Sequence, residues 1–357
     1  MPISAVDAID PAFRHAKQQL FQPFRFGQWA RLALVGLLTG ELGSGGGCNG
    51  NFNIPSSTHR QGGTEHFLSQ GWPKLLGDHP LMFASGIAIL VVFGLGLVVL
   101  FTYIGSVMRF ILFDSIVSKE CHIRKGWARW GREGHLLFVW QMTLMLLSFL
   151  VFIILIGIPA AFAGGLGWFA HPSEHMLGLV VGGVLLFLVF LAAVVCFAVV
   201  HVMTKDFVVP QMALENISAF EGWRRLWLWV KAEKGGYAGY IGMKIVLSVG
   251  AGIALTIISL IVIVALLIPI GGLGAMIWMS AKAAGATWNV STITLAVIAG
   301  GIVLAIFMFA ISMISVPAAV FFPAYSIYFL AARYPVLADQ LWPRLPGPIT
   351  HGEAGMT

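Results

Sequence analysis

Charge is what this sequence has least of. Lys, Arg, Asp and Glu make up 10% of its 357 residues, against roughly 25% in an ordinary soluble domain. A water-soluble globule needs a polar shell, and so thin a supply of charged side chains cannot build one around a chain of this size. An ordinary cytosolic enzyme, a disordered chain and a nucleic-acid binder are excluded on that ground. Cysteine is scarce as well. Cys48, Cys121 and Cys196 are scattered and form no C-x-x-C, so no disulfide framework is expected. The apolar stretches also lack ionisable groups near their centres. Such groups mark ion and proton pathways, and their shortage argues against a pump built on buried carboxylates. No serine or cysteine stands beside a recognisable base. The glycine run Gly43 to Gly47 is followed by no lysine with serine or threonine at phosphate-loop spacing. It reads as a flexible turn, and no cofactor is expected.

Apolar residues fill the space that charge leaves. The hydrophobic fraction is 58%, the mean hydropathy +0.88. A membrane-crossing helix needs about 20 apolar residues. Residues 81–108, 136–160, 177–203, 238–268 and 292–316 meet that length, and a shorter sixth run covers 29–42, closed by Gly40 and Glu41. With six spans and an internal N-terminus, eighteen of the 21 lysines and arginines fall on one side, leaving Arg60, Lys74 and Lys282 on the other. The positive-inside bias therefore predicts six spans with both termini cytoplasmic. Acidic Asp7 and Asp10 precede the first apolar run and no A-x-A site follows, so a cleavable signal peptide is not expected.

A unit recurs three times. Trp29-Ala30-Arg31-Leu32, Trp127-Ala128-Arg129-Trp130 and Trp223-Arg224-Arg225-Leu226 share W-x-R-[LW] at near-equal spacing. A second landmark follows in register: Phe110 to Phe113, Phe207 to Pro210 and Val320 to Pro323. The predicted fold is an all-α polytopic membrane bundle, six transmembrane helices as three parallel tandem hairpin repeats with interfacial amphipathic helices. The repeats cover about 24–117, 118–214 and 215–330 within a single domain, 1–333. Residues 334–357 read as a flexible cytoplasmic tail.

Each W-x-R segment is expected to lie in the membrane plane, aromatics among headgroups and arginines on phosphates. Trp29, Arg31, Trp127, Arg129, Trp223 and Arg225 are thus candidates for a lipid interface. Ser218 with Glu221 reads as a capping box, and Phe220, Trp223, Trp227 and Val230 share a face behind it. Near the N-terminus Asp10 and Pro11 suit N-cap and N1, with Phe13, Ala16, Leu20 and Phe24 as the stripe. A break is expected near Pro317 in the long run 292–333. Gly86, Gly94, Gly182, Gly183, Gly250 and Gly252 are expected where helices approach closely. Arg109 with Asp114 and Lys205 with Asp206 read as local ion pairs, with His201 close by.

Other chemistry is weaker. His171, Glu174 and His175 match H-x-x-E-H, an inverted zincin pattern. A proline after the first histidine and a short outer loop do not suit a zinc-binding helix, so no metal is assigned to them. A transporter would instead need a polar cavity lined by groups such as Gln141, Thr143, Ser248, Thr256, Ser312 and Ser315.

Phe21-Gln22-Pro23-Phe24-Arg25-Phe26-Gly27-Gln28-Trp29, with the glycine run and Asn49 to Pro55 after it, resembles uncharacterised bacterial polytopic membrane proteins. So does Asp206 to Pro210 leading into Gly222 to Trp227. The group is distantly similar to the six-helix membrane domain of some glycerophosphodiester phosphodiesterases. The resemblance implies a multi-pass protein of the bacterial inner membrane. It implies no phosphodiesterase activity, since the chain has no room for that soluble catalytic domain, and it supplies no site residues. The function expected is non-enzymatic: a lipid-engaging or scaffolding role at the cytoplasmic membrane, with a transporter or permease for a small or lipid-like solute as the alternative. Membrane lipids are the expected partners, nucleic acid is not, and the sequence names no protein partner.

Overall fold

A computed structural model describes residues 4–41, 80–168, 173–283, 285 and 290–342. Among these the secondary structure is entirely helical. Two shorter helices come first, α1 (Ile9–Phe21) and α2 (Phe26–Thr39). Three long helices follow: α3 (Pro80–Ser118), α4 (Ile123–Gly165) and α5 (Met176–Met203). A π-helical turn, Thr204–Val208, joins α5 to α6 (Val209–Glu215). Then come α7 (Ala219–Ala232), α8 (Lys234–Ala283), α9 (Val290–Ala331) and α10 (Pro335–Leu341).

Five of these helices are long and apolar enough to cross a membrane, and the chain is a multi-pass membrane protein by that measure. In four of the five, none of the most apolar 18-residue stretch is buried against protein. Side chains such as Leu90, Leu146, Leu185, Ile261 and Leu295 are exposed instead. A surface this apolar is stable only where the solvent is hydrocarbon. The expected sixth span, α2, has 14 residues, about 21 Å at 1.5 Å per residue. That is short of the roughly 30 Å hydrocarbon core. It ends at Gly40, whose φ of +74° is the left-handed cap that glycine adopts without strain.

The core lies at one end of the bundle. The C-terminal parts of α3 and α9, the N-terminal parts of α4 and α8, and residues Met203 to Ala213 meet there with α1 and α2. Phe110, Phe207, Tyr240, Tyr325 and Phe329 are fully buried within this cap. Tyr240 stacks on Tyr325 with ring centroids 5.2 Å apart. Arg333 reaches from behind α9 to both oxygens of Glu233, at 2.8 and 2.7 Å, and its guanidinium lies 3.9 Å from the Phe329 ring centre. The bidentate geometry ties the start of α8 to the end of α9, and it holds the Glu233 carboxyl below the usual carboxylate range.

Several local expectations are corrected. The helix does not break near Pro317. α9 runs through Pro317 and Pro323. Proline removes an N–H and orphans the carbonyl four residues back, here that of Met313. The Trp29 indole donates to that oxygen at 3.0 Å, so the helix passes Pro317 with no carbonyl left unsatisfied there. Residues beyond Pro317 are buried in the cap rather than laid along an interface. The second W-x-R segment forms no separate surface helix, because Trp127 and Arg129 belong to the first turns of α4 itself. α7 is a separate amphipathic helix, and its Ser218 Oγ accepts from Glu221 N at 3.3 Å, the N-cap half of the expected capping box, while the Glu221 carboxylate turns to Arg224 and Arg225. Its buried stripe is Ala219, Gly222 and Leu226, whereas Phe220 and Trp227 are exposed. Small side chains let α7 sit close on the π turn. α1 behaves likewise: it starts at Ile9, one residue before Asp10, and buries Ala12, His15, Ala16, Gln19 and Leu20 while Phe13 and Phe24 are exposed.

Glycine also serves at other places than expected. A Cβ at Gly86, Gly94, Gly182, Gly183 or Gly250 would meet open space. Close approaches include Gly105, where a Cβ would stand 2.8 Å from Leu38 O, and Gly134, where it would stand 2.6 Å from Val107 Cγ2 and 2.9 Å from Val107 Cα. Gly134 lets α4 lie against the α3 backbone.

Candidate functional site

The π turn is the centre of the site. One extra residue per turn is a device found most often at functional positions. Here it directs Thr204, Asp206 and Phe207 inward together. Thr204 Oγ1 accepts the indole N–H of Trp223 at 2.9 Å and that of Trp140 at 3.4 Å, while its own proton goes to Val200 O at 2.8 Å.

Five charged side chains gather round this turn, all of them buried or nearly so. Lys205 donates to Glu41 at 2.7 Å, with side-chain exposures of 10% and 2%. Lys244 pairs with Asp206, which also accepts from Tyr240 Oη at 2.9 Å. Arg109 donates through Nη2 to Thr39 O at 3.1 Å, and its Nε and Nη1 meet no acceptor among the described residues. Three cations thus face two carboxylates. A cavity of about 30 Å³ lies among Glu41, Arg109, Lys205, Asp206 and Ser326, room for about one water.

These partners differ from the expected local pairs. Residues five apart, as Arg109 and Asp114 are, lie on nearly opposite sides of a helix, and adjacent residues do not face each other. Asp114 instead meets Arg129 of α4 at 3.5 Å. The pairs therefore join different helices and hold the cap together. The helical path from Pro80 to Arg109, or from Met176 to Lys205, is about 44 Å. That exceeds one hydrocarbon thickness, so the cluster stands at the edge of the apolar slab rather than at its middle.

An apolar groove leads away from the cluster between α5 and α8. Its volume is about 820 Å³ and its walls include Val195, Val199, Val202, Ile245, Val249 and Ile253. Lys205 and Lys244 stand at one end of it, and Ser248 and Thr256 interrupt the aliphatic lining. Of the other groups expected around a polar path, Thr143, Ser312 and Ser315 donate to carbonyls of their own helices. Gln141 accepts from Ser106 Oγ at 2.9 Å.

The six tryptophan and arginine candidates are dispersed round the cap, and each finds a partner inside the protein. Trp29 and Trp223 are half-buried, with indole N–H groups on Met313 O and Thr204 Oγ1. Trp127 is exposed, edge-on to Tyr103. Arg31 donates to Cys121 O at 3.2 Å. Arg129 lies over the Trp130 ring at 4.6 Å as well as beside Asp114. Arg225 pairs with Glu221 at 3.1 Å and with Glu215, contacts that raise its pKa.

Of the H-x-x-E-H residues, His171 lies outside the described residues. Glu174 is exposed, and His175 stacks on Trp168 at 5.7 Å. No group of three metal-ligating side chains occurs among the described residues. Lys244 and Tyr240 were not singled out from the sequence. A lysine inside the apolar run 238–268 was the available signal.

No curated protein and no solved structure matches the chain. The comparisons found nothing that bears on glycerophosphodiester phosphodiesterases or on a bacterial source. The model of a family of unknown function, DUF7544, matches residues 3–339, and the chain belongs to that family.

Proposed function

We propose that this protein is a non-enzymatic, lipid-engaging component of the bacterial cytoplasmic membrane, in which the groove between α5 and α8 seats an acyl chain and the charge cluster at its end meets an anionic headgroup. The observation that carries the reading is the groove itself: about 820 Å³, walled by aliphatic side chains, with Lys205 and Lys244 at one end. The groove lies within apolar helices, where the neighbouring molecule is lipid. The charge excess favours a headgroup of negative sign, because among the described residues three cations share two carboxylates. The cap then faces the cytoplasm. Among the described residues Lys282 is the cation at the opposite end, in keeping with the positive-inside bias.

The test is native mass spectrometry of the full chain purified in mild detergent. Anionic phospholipid is expected to be retained. Ser248→Trp combined with Thr256→Trp, which fills the groove, is expected to lose it without lowering the melting temperature. Equal retention by the filled variant would overturn the reading. A permease is the second reading, supported by Ser248 and Thr256 facing the groove. Solute flux in proteoliposomes, abolished by the same variant, would favour it.

A further inference from the structure

The hydroxyl of Ser248 differs from those on the other long helices. Thr102, Thr143, Ser312 and Ser315 each donate to the carbonyl four residues back on their own helix, the usual way a hydroxyl is satisfied where water is absent. Ser248 makes no hydrogen bond among the described residues, to Lys244 O or to any other acceptor. Its side chain is half-buried and lines the groove between α5 and α8, so its Oγ is open to whatever lies there. A plain acyl chain offers it no acceptor, and a hydroxyl left unpaired in hydrocarbon is costly.

Lys244 precedes Ser248 by four residues, so the two share a face of α8, and Ser248 is about 6 Å further from the cap at 1.5 Å per residue. The ammonium groups of Lys205 and Lys244 each carry three N–H donors, and among the described residues each uses one, on Glu41 and on Asp206. Both side chains line the groove. The groove therefore presents cations at the end nearest the cap and a neutral donor one turn deeper. In a glycerophospholipid the phosphate and the ester carbonyls of the chains have the same order and spacing, because the headgroup layer outside the hydrocarbon is about 5–7 Å thick on each side. A free fatty acid carries its acceptors at one level only, and an isoprenoid chain has none below its head.

We infer that the groove selects anionic lipids whose chains are joined by esters, with Ser248 donating to an ester carbonyl while Lys205 and Lys244 face the headgroup. The inference rests on the acyl-chain reading above and adds the linkage that is recognised.

The experiment is native mass spectrometry of the full chain in mild detergent with equal amounts of phosphatidylglycerol and its dialkyl ether analogue, which share a headgroup and differ in mass. The ester form is expected to be retained about threefold to tenfold more, the worth of one neutral hydrogen bond. Ser248→Ala, which removes the donor, is expected to abolish that preference while still retaining both lipids. Ser248→Cys, with a weaker donor of similar size, is expected to leave a smaller preference. Thr256 also lines the groove, about 12 Å beyond Ser248 and so below any ester, and Thr256→Val is expected to keep the full preference. Equal retention of the two lipids by the unaltered chain overturns the inference and leaves the acyl-chain reading standing. A preference that survives Ser248→Ala, or that Thr256→Val removes as fully, overturns it as well. Retention of neither lipid overturns both.

Discussion

The indole of Trp29 donates to the carbonyl of Met313, the oxygen that Pro317, four residues on, has no N–H to reach. The tryptophan therefore completes a helix that is not its own. Trp29→Phe keeps an aromatic ring but removes the donor, and should cost about 1–2 kcal/mol for the orphaned carbonyl, beyond what the smaller ring loses in packing. In a Pro317→Ala background the helix can satisfy Met313 itself, and the carbonyl's share of the cost of Trp29→Phe should vanish. Thermal unfolding of the four proteins in one detergent measures that coupling. Equal costs in both backgrounds would disprove the relationship.

The Lys205–Glu41 pair is deeply buried. Removing one partner strands a charge, a loss of about 3–5 kcal/mol. Glu41→Gln alone should thus lower the melting temperature strongly, whereas Glu41→Leu with Lys205→Met should recover most of the loss. A double variant no better than the single one would mean that the cluster is needed as a whole.

Gly134→Ala should destabilise the α3–α4 contact by about 1–3 kcal/mol, the range for overpacking, since the added carbon meets Val107 backbone. Gly182→Ala, with nothing near its Cβ, should be neutral or slightly stabilising. The pair of melting curves provides its own control.

His15 fixes a pH dependence. Its Nε2–H donates to Ile116 O at 2.9 Å, and Nδ1 accepts from Tyr328 Oη at 3.2 Å. Burial lowers its pKa, and the Lys119 ammonium acts in the same direction, against the Ile116 carbonyl. The unfolded imidazole binds its proton first, near pH 6.5, so stability is full above that pH and falls as pH drops below it. The melting temperature should decline between pH 7.5 and 5.5, and His15→Gln should flatten the decline. An equally steep decline in the variant would place its origin elsewhere.

The membrane character of the chain was legible because hydropathy is a sum over many residues. Five long helices follow from it directly. The N-cap at Ser218 was legible for the opposite reason, since it depends on four consecutive positions alone. Partnership was not legible. Arg109 and Asp114 are near in sequence yet choose different helices, and only the packing of α3 against α4 and α2 decides which. The aromatic stripes at α1 and α7 mark a face but not what it packs on, because lipid-facing and core-facing surfaces are both apolar. The core took the small side chains, where close contact has the greater value, and left Phe13, Phe220 and Trp227 outside. The bridging role of Trp29 needed three dimensions: its acceptor is 284 positions away along the chain.

Because most of the buried core among the described residues lies at one end, the remainder of each long helix resembles a rib fastened chiefly at its hub. Lipid chains between the ribs become part of the wall. A detergent that replaces them should leave the hub folded while letting the ribs spread. Changes in bilayer thickness or lateral pressure then act on the spacing of the ribs first, with the hub as the fixed reference against which that movement is made.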